Sequence, residues 1–150
     1  MERKKNKELP TWFLLLYSFV LAGIFWFFIL NPSFAWLSGW QYRRSITITE
    51  QSGSTLTDYQ VLIELNSSNF DFSKANSDGS DIRFTDESDN LLDYWIEEWD
   101  SSAEQARVWV KVPEIPASGT ATIYMYYGNS GATSLSNASA VFDWYEPCND

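Results

Sequence analysis

Aromatic and charged residues near the middle of the chain have the types expected of a sugar-binding surface. The aromatic members are Trp95, Trp99, Trp109, Tyr124 and Tyr126, and the charged members are Asp93, Glu97, Arg107 and Lys111. Aromatic planes suit the apolar C–H faces of sugar rings, and flanking charged groups can hydrogen-bond their polar edges. If these side chains share one face of one sheet, they form a glycan-binding platform. In the alternative interpretation, the rings form a second packed layer covered by a loop, by an adjacent domain or by each other.

The carboxylates of this cluster are poorly spaced for glycoside hydrolysis. A glycosidase needs two carboxyl groups about 5 to 9.5 Å apart. Asp93 and Glu97 lie four residues apart on one predicted strand, a separation of about 13 Å. Glu97 and Glu98 are adjacent and are expected to point to opposite faces of the sheet. We therefore predict no catalytic residues and no enzymatic activity. A glycoside-active enzyme, with carboxylates from different loops, is the third alternative.

Two acidic segments contain candidate calcium ligands, namely Asp78, Asp81, Asp86 and Asp89. Aligning Gly79 with the glycine of an EF-hand places Lys74 and Thr85 where Asp and Glu are required, so the EF-hand motif fails. An irregular calcium site remains the alternative to turns stabilised by Asx side chains, and no other cofactor is predicted.

The residue types missing from the chain narrow the chemistry further. There is no histidine, and Cys148 is the single cysteine. These facts exclude acid–base catalysis by histidine, zinc sites built from His and Cys, and an intrachain disulfide. Residues 36–150 carry 6 Lys or Arg against 18 Asp or Glu, a net charge of −12. Because nucleic-acid binding requires a basic surface, a nucleic-acid partner is not expected.

Three stretches that alternate at period two are predicted to form a meander of adjacent strands: Leu91–Trp99, Gln105–Val112 and Ala121–Tyr127. A one-residue slip would turn the apolar side chains outward. A hairpin through Pro113–Thr120 therefore predicts the inward pairs Val112–Ala121, Val110–Ile123 and Val108–Met125, with Trp109 opposite Tyr124 and Arg107 opposite Tyr126 on the outer face. A second hairpin predicts the inward pairs Leu92–Val112, Tyr94–Val110 and Ile96–Val108, and the outer pairs Asp93–Lys111, Trp95–Trp109 and Glu97–Arg107.

Additional strands are predicted at Gly39–Glu50, Tyr59–Asn66 and Asp81–Thr85. At least six short strands separated by turns are typical of an all-β fold, here an antiparallel β-sandwich that is jelly-roll-like. One such domain is expected over residues 39–142. Residues 143–150 are interpreted as a truncated tail or the start of a following domain.

The N-terminal part of the chain has the pattern of a membrane segment. Residues 1–10 form a basic region that is expected to stay cytoplasmic, and residues 11–35 form a transmembrane anchor or a signal peptide. Thr11–Leu30 is uncharged, and twenty helical residues span about 30 Å of bilayer. Ser33 and Ala35 also fit a signal-peptidase site. Both interpretations place the folded domain outside the cytoplasm, in a single-pass membrane protein or in a secreted one.

Six short motifs follow one another along the predicted domain: Trp40–Arg44, Leu56–Val61, Asn69–Phe72, Asp78–Phe84, Asp93–Glu97 and Tyr124–Asn129. In order and spacing, over Gly39–Phe142, they resemble a bacterial and archaeal family known as domain of unknown function 2341. The resemblance implies an all-β module of exported and cell-surface proteins, often beside concanavalin-like or laminin-G-like lectin domains. Some members accompany proton-channel proteins of the MotA/TolQ/ExbB type. It implies no established activity.

The sequence thus predicts a non-catalytic extracytoplasmic β-sandwich module that binds a glycan or a cell-wall polymer through an aromatic sheet face. The alternative is a structural or protein-docking module of a surface protein or of a MotA/TolQ/ExbB-type membrane complex. The expected partners are the membrane, through residues 11–30, a glycan or cell-wall polymer, and a neighbouring lectin-like domain or membrane complex.

Overall fold

The structure, a computed structural model, describes residues 36–143. The predicted membrane segment at residues 11–35, Cys148 and most of the predicted tail lie outside these residues. The strands are β1 (Tyr42–Thr49), β2 (Leu56–Asn66), β3 (Arg83–Thr85), β4 (Tyr94–Asp100), β5 (Gln105–Ile115) and β6 (Thr120–Tyr127). A 3₁₀ turn covers Phe72–Lys74, and a short α-helix covers Ala138–Val141. No helix within residues 36–143 is long and apolar enough to cross a membrane.

The six strands form two antiparallel three-stranded sheets. Sheet I has the strand order β1-β6-β3, and sheet II has the order β2-β5-β4. Every strand pair is antiparallel. The prediction of an all-β fold with antiparallel sheets is therefore confirmed.

The predicted pairing of β5 with β6 is wrong. These strands lie in different sheets, and the turn at residues 116–119 carries the chain from one sheet to the other. β6 pairs instead with β1, with Ile46 opposite Ile123, and β5 pairs with β2, with Val61 opposite Val110. The alternation of a strand determines which face is buried but not which strand lies beside it. Consequently the predicted outer pairs of Trp109 with Tyr124 and of Arg107 with Tyr126 do not form.

The inward directions predicted for the apolar side chains are confirmed by a core in which residues of both sheets pack together. Val108, Val110, Ile123 and Met125 are at most 1% exposed. Phe84 of sheet I also packs on Tyr94 of sheet II, with 5.6 Å between ring centroids. Burying an aliphatic side chain of this size contributes about 1.5 to 3 kcal/mol, so these positions supply much of the stability.

The hairpin of β4 and β5 has the predicted register over its first half. Tyr94 lies opposite Val110, Trp95 opposite Trp109 and Ile96 opposite Val108. Between Ile96 and Glu98 the register shifts at a β-bulge. A bulge places two residues opposite one, which reverses the facing of every later side chain in the strand. The bulge determines where the predicted site residues at positions 97–99 lie.

Candidate ligand-binding faces

The outer face of sheet II carries the two tryptophans that the sequence placed opposite each other. Trp95 of β4 and Trp109 of β5 are register partners, and both are half-buried. Leu62 of β2 lies on the other side of Trp109. An aromatic and aliphatic row therefore crosses the sheet. We call the outward residues Trp95, Glu97, Arg107, Trp109 and Lys111, together with Phe142, the tryptophan face.

A charged pair borders this row on one side. The indole N–H of Trp109 donates to Oε2 of Glu97 at 3.0 Å, and Nη2 of Arg107 lies 3.5 Å from the same oxygen. The side chains of Arg107 and Glu97 are 43% and 32% exposed, so solvent weakens the ion pair and leaves part of both groups accessible. Donors and acceptors thus flank the aromatic row.

The C-terminal end of the described chain covers part of the tryptophan face. The Phe142 ring makes edge contacts with Trp109 and Trp95, with centroid distances of 5.5 and 5.9 Å. The side-chain amide of Gln60 donates to the Val141 carbonyl at 3.0 Å. Because Phe142 lies on the tryptophans, the face is partly a packed layer, as the alternative interpretation of the sequence has it.

Lys111 and Asp93 lie at the end of the tryptophan face near this segment. The backbone N–H of Lys111 donates to the Asp93 carbonyl at 2.9 Å, which places the two residues side by side as predicted. The ion pair of Lys111 forms with Asp143, however, at 3.4 Å. Lys111 therefore helps to hold the C-terminal segment against the sheet.

Trp99 does not belong to the tryptophan face, contrary to the sequence prediction. The bulge turns it toward the core, where it lies opposite the buried Ala106. Its ring contacts Phe72 at 5.3 Å and Phe70 at 5.9 Å, and Gly79 lies against the ring. Trp99 is thus a packing residue at one end of the molecule.

Tyr124 and Tyr126 also lie away from the tryptophan face, because β6 belongs to sheet I. They lie on the outer face of that sheet with Arg43 of β1, which is the register partner of Tyr126. Tyr126 is fully buried, and its hydroxyl donates to Asp89 at 3.2 Å. Burial raises the pKa of Tyr126. The nine predicted site residues are therefore divided between the two outer faces and the core.

The bulge also changes the positions of the carboxylates. Glu98 is the register partner of Arg107, and the Glu97 carboxylate contacts Arg107 as well, so both lie on the outer side of sheet II. The prediction that they point to opposite faces is wrong. Glu64 of β2 lies across Arg107 from Glu98. Glu97 contacts the Arg107 guanidinium, and Glu64 and Glu98 are the register partners of Arg107 on the two neighbouring strands.

The acidic residues named as calcium candidates accept hydrogen bonds from the protein itself. The Asp81 carboxylate, which is fully buried, accepts the backbone N–H groups of Asn76, Gly128 and Asn129 at 2.7 to 3.1 Å. Asp78 and Asp86 accept amides of their own turns. Within residues 36–143, no group of three or more His, Cys, Asp or Glu is arranged to hold a metal. The calcium hypothesis stays a prediction that calcium titration with thermal melting can test.

Two hollows lined by residues outside the predicted site were missed by the sequence reasoning. One is a cleft of ≈ 390 Å³ between the edges of β1 and β2, lined by Ile48, Leu56, Tyr59 and Val61 among others. The other, of ≈ 260 Å³, is lined by Tyr42, Lys74, Asn76 and Ser130 among others. The only sequence signal for the first is the exposed edge position of Tyr59. The second is assembled from three segments that lie far apart in the sequence.

A family model described as Domain of unknown function (DUF2341) matches residues 78–150. The match contains the motifs Asp78–Phe84, Asp93–Glu97 and Tyr124–Asn129, whereas the three earlier motifs precede it. In the structure, Asp81 of the first of these motifs binds Gly128 and Asn129 of the last. No curated protein and no solved structure matches the chain. The predicted resemblance to the DUF2341 family is therefore confirmed over residues 78–150.

Proposed function

We propose that the chain is a non-catalytic, extracytoplasmic β-sandwich module, jelly-roll-like in type, that binds a glycan or a cell-wall polymer through the tryptophan face. One observation supports this most strongly: Trp95 and Trp109 lie side by side on an outer sheet surface, bordered by Glu97 and Arg107. A sugar ring has an apolar face and polar edges, so an aromatic row with adjacent hydrogen-bonding groups complements it.

The test is a pull-down of the full chain by purified cell-wall sacculi, with competition by soluble oligosaccharide released from them. Trp109→Ala should lose most of the binding and show little change in melting temperature. The matched control is Tyr59→Ala, which removes an aromatic side chain that is 47% exposed but lies outside the tryptophan face. Binding that survives Trp109→Ala, or that soluble oligosaccharide does not reduce, contradicts the proposal.

The second candidate function is a structural or protein-docking module, and the position of Phe142 favours it. In this case the tryptophan face is the surface on which the C-terminal segment and an adjoining protein pack. Phe142→Ala separates the two functions. If the face binds glycan, removing Phe142 uncovers the indole rings and preserves or strengthens binding to sacculi. If the face only packs against the C-terminal segment, Phe142→Ala lowers the melting temperature and the chain binds no polymer.

The proposed location follows from the N-terminal residues, which lie outside the described part of the chain. A basic region before twenty uncharged residues favours a membrane anchor with the folded domain outside the cytoplasm. N-terminal sequencing of the mature protein tests this, since a start at Trp36 would indicate a cleaved signal peptide and a secreted domain.

A further inference from the structure

Arg43 is stacked within an aromatic cluster on the outer face of sheet I. Its guanidinium carbon lies 3.5 Å from the centroid of the Tyr124 ring, 5.5 Å from that of Tyr126 and 6.0 Å from that of Trp36. Contact at 3.5 Å places the planar guanidinium in van der Waals contact with the Tyr124 ring, where cation–π attraction holds it. The stacking fixes the side chain without using its N–H groups.

None of the guanidinium N–H groups of Arg43 has an acceptor within residues 36–143. Nε is buried without a hydrogen-bond partner, and neither terminal nitrogen has a hydrogen bond or an ion pair. The terminal nitrogens are not among the buried atoms, so they reach solvent. By contrast, Arg83 donates to four oxygens, and Arg107 contacts Glu97. An arginine held in place without a carboxylate is unexpected in a strongly acidic domain.

The strands beside Arg43 carry hydroxyl groups. Ser45 and Thr47 follow Arg43 on the outer face of β1, and both are exposed. Their register partners on β6 are Tyr124 and Thr122, so hydroxyl-bearing residues continue onto the next strand. The nearby Asp89 accepts the Tyr126 hydroxyl and makes no ion pair with Arg43. A preoriented guanidinium therefore lies at one end of a hydroxyl-bearing sheet surface, with the Asp89 carboxylate nearby.

We propose that Arg43, stacked on Tyr124, binds a single oxyanion, a carboxylate or a sulfate group carried by a sugar. A guanidinium presents parallel N–H donors that match the two oxygens of such a group, and stacking has already fixed its plane. The adjacent hydroxyls suit the hydroxyl groups of the same sugar. Residues 36–150 carry 6 basic against 18 acidic side chains, so a dense polyanion would be repelled. The ligand is therefore an otherwise neutral glycan with isolated acidic groups.

This site lies on sheet I, whereas the tryptophan face lies on sheet II, so the inference does not rest on the proposed function.

The test follows the Arg43 Nε–H resonance of the full chain by NMR. The resonance is assigned by its loss in Arg43→Lys. Glucuronate should shift it saturably, whereas glucose, which carries a hydroxymethyl group in place of the carboxylate, should not. Inorganic sulfate tests whether the sugar is needed. A shift as strong as that from glucuronate would support an oxyanion site but would show that the site binds free anions rather than anionic groups on a sugar.

Matched variants complete the experiment. Arg43→Gln should abolish glucuronate binding, measured calorimetrically, whereas Arg44→Gln removes the same charge from the neighbouring position and should leave it intact. If Arg43→Gln does not fold, Tyr124→Leu removes the stacking partner but keeps the charge, and should weaken binding several-fold. Because the NMR shift is read at the Arg43 Nε–H itself, this result and the sacculus test can fail separately. Absence of any response to glucuronate and sulfate, or equal loss in Arg44→Gln, overturns the inference.

Discussion

Among individual residues, Glu50 shows how a carboxylate can hold a turn together. It follows β1 and is 6% exposed, and it accepts the backbone N–H groups of Ser52, Gly53 at 2.8 Å and Ser118 at 2.9 Å. Hydrogen bonds from the Ser52 side chain and then from these amides lower the pKa of Glu50 to about 2. The ionised carboxylate thus links the end of β1 to the turn that joins the two sheets.

Glu50→Gln should therefore lower the melting temperature at neutral pH. The variant should also lose less melting temperature than the wild type when the pH is lowered. A depressed pKa stabilises the fold above the unfolded value of 4.5, and this stability is lost as the pH falls toward 2. The measurement is thermal melting of wild type and variant between pH 7 and pH 2. Glu87→Gln removes the same charge from an exposed position and serves as the control. A constant difference between wild type and Glu50→Gln across this range would contradict the assignment.

Gly79 packs directly against the indole ring of Trp99, and substitution of Gly79 tests that contact. Its φ is +68°, and an added Cβ would lie 2.7 Å from the indole ring. Gly79→Ala should destabilise the fold by about 2 kcal/mol or more, combining backbone strain with overpacking. Gly53→Ala provides the matched comparison, because Gly53 has φ +77° with nothing within 4 Å. Equal losses in chemical denaturation would show that the clash with Trp99 contributes nothing.

Among the elements, β4 is where the sequence reasoning was partly right and partly wrong. The alternation of Tyr94 and Ile96 correctly predicted their register with β5. If the alternation continued, Glu98 would point into the core, and burying a charge there is costly. The bulge avoids this cost by keeping both glutamates in solvent and turning Trp99 inward. An acidic residue at an inward position was thus the available signal for the bulge.

The two tryptophans of β4 on either side of the bulge should respond differently to substitution. Trp99 packs on Phe70 and Phe72, so Trp99→Ala should cost about 3 to 5 kcal/mol of unfolding free energy. Trp95 is half-buried on the outer face, and Trp95→Ala should cost clearly less. Urea denaturation of both variants measures the difference. A larger loss of unfolding free energy for Trp95→Ala than for Trp99→Ala would contradict the inward position of Trp99, and with it the position of the bulge.

The partner choice of β5 and β6 could not be obtained from alternation for a general physical reason. In a hairpin and in a crossing between two stacked sheets, Val110 and Ile123 both point into the same core. The two arrangements differ only in which other strands pair with each one, here β2 and β1. Those partners lie far away along the sequence, and their registers depend on packing of the whole molecule.

In the molecule as a whole, the two outer faces are chemically different. Sheet II presents tryptophans bordered by a charged pair, with Phe142 packed on them. Sheet I presents a stacked arginine beside hydroxyl groups. The sequence correctly predicted that Trp95 and Trp109 lie side by side with Glu97 and Arg107 next to them, and carbohydrate binding by this face stays a prediction. The residues predicted to share one face are divided between two sheets because β5 and β6 do not pair. The predicted pairing of these strands was the only link between Trp109 and Tyr124.

The most direct test of the tryptophan face is a map of which indole groups a glycan touches. The chain contains eight tryptophans, so the indole N–H resonances of the full chain can be assigned by single substitutions. Titration with soluble oligosaccharide from cell-wall sacculi should shift the resonances of Trp95 and Trp109 together and leave that of the packed Trp99 unchanged. Unchanged Trp95 and Trp109 resonances throughout the titration, or shifts confined to other tryptophans, would contradict the proposed binding face.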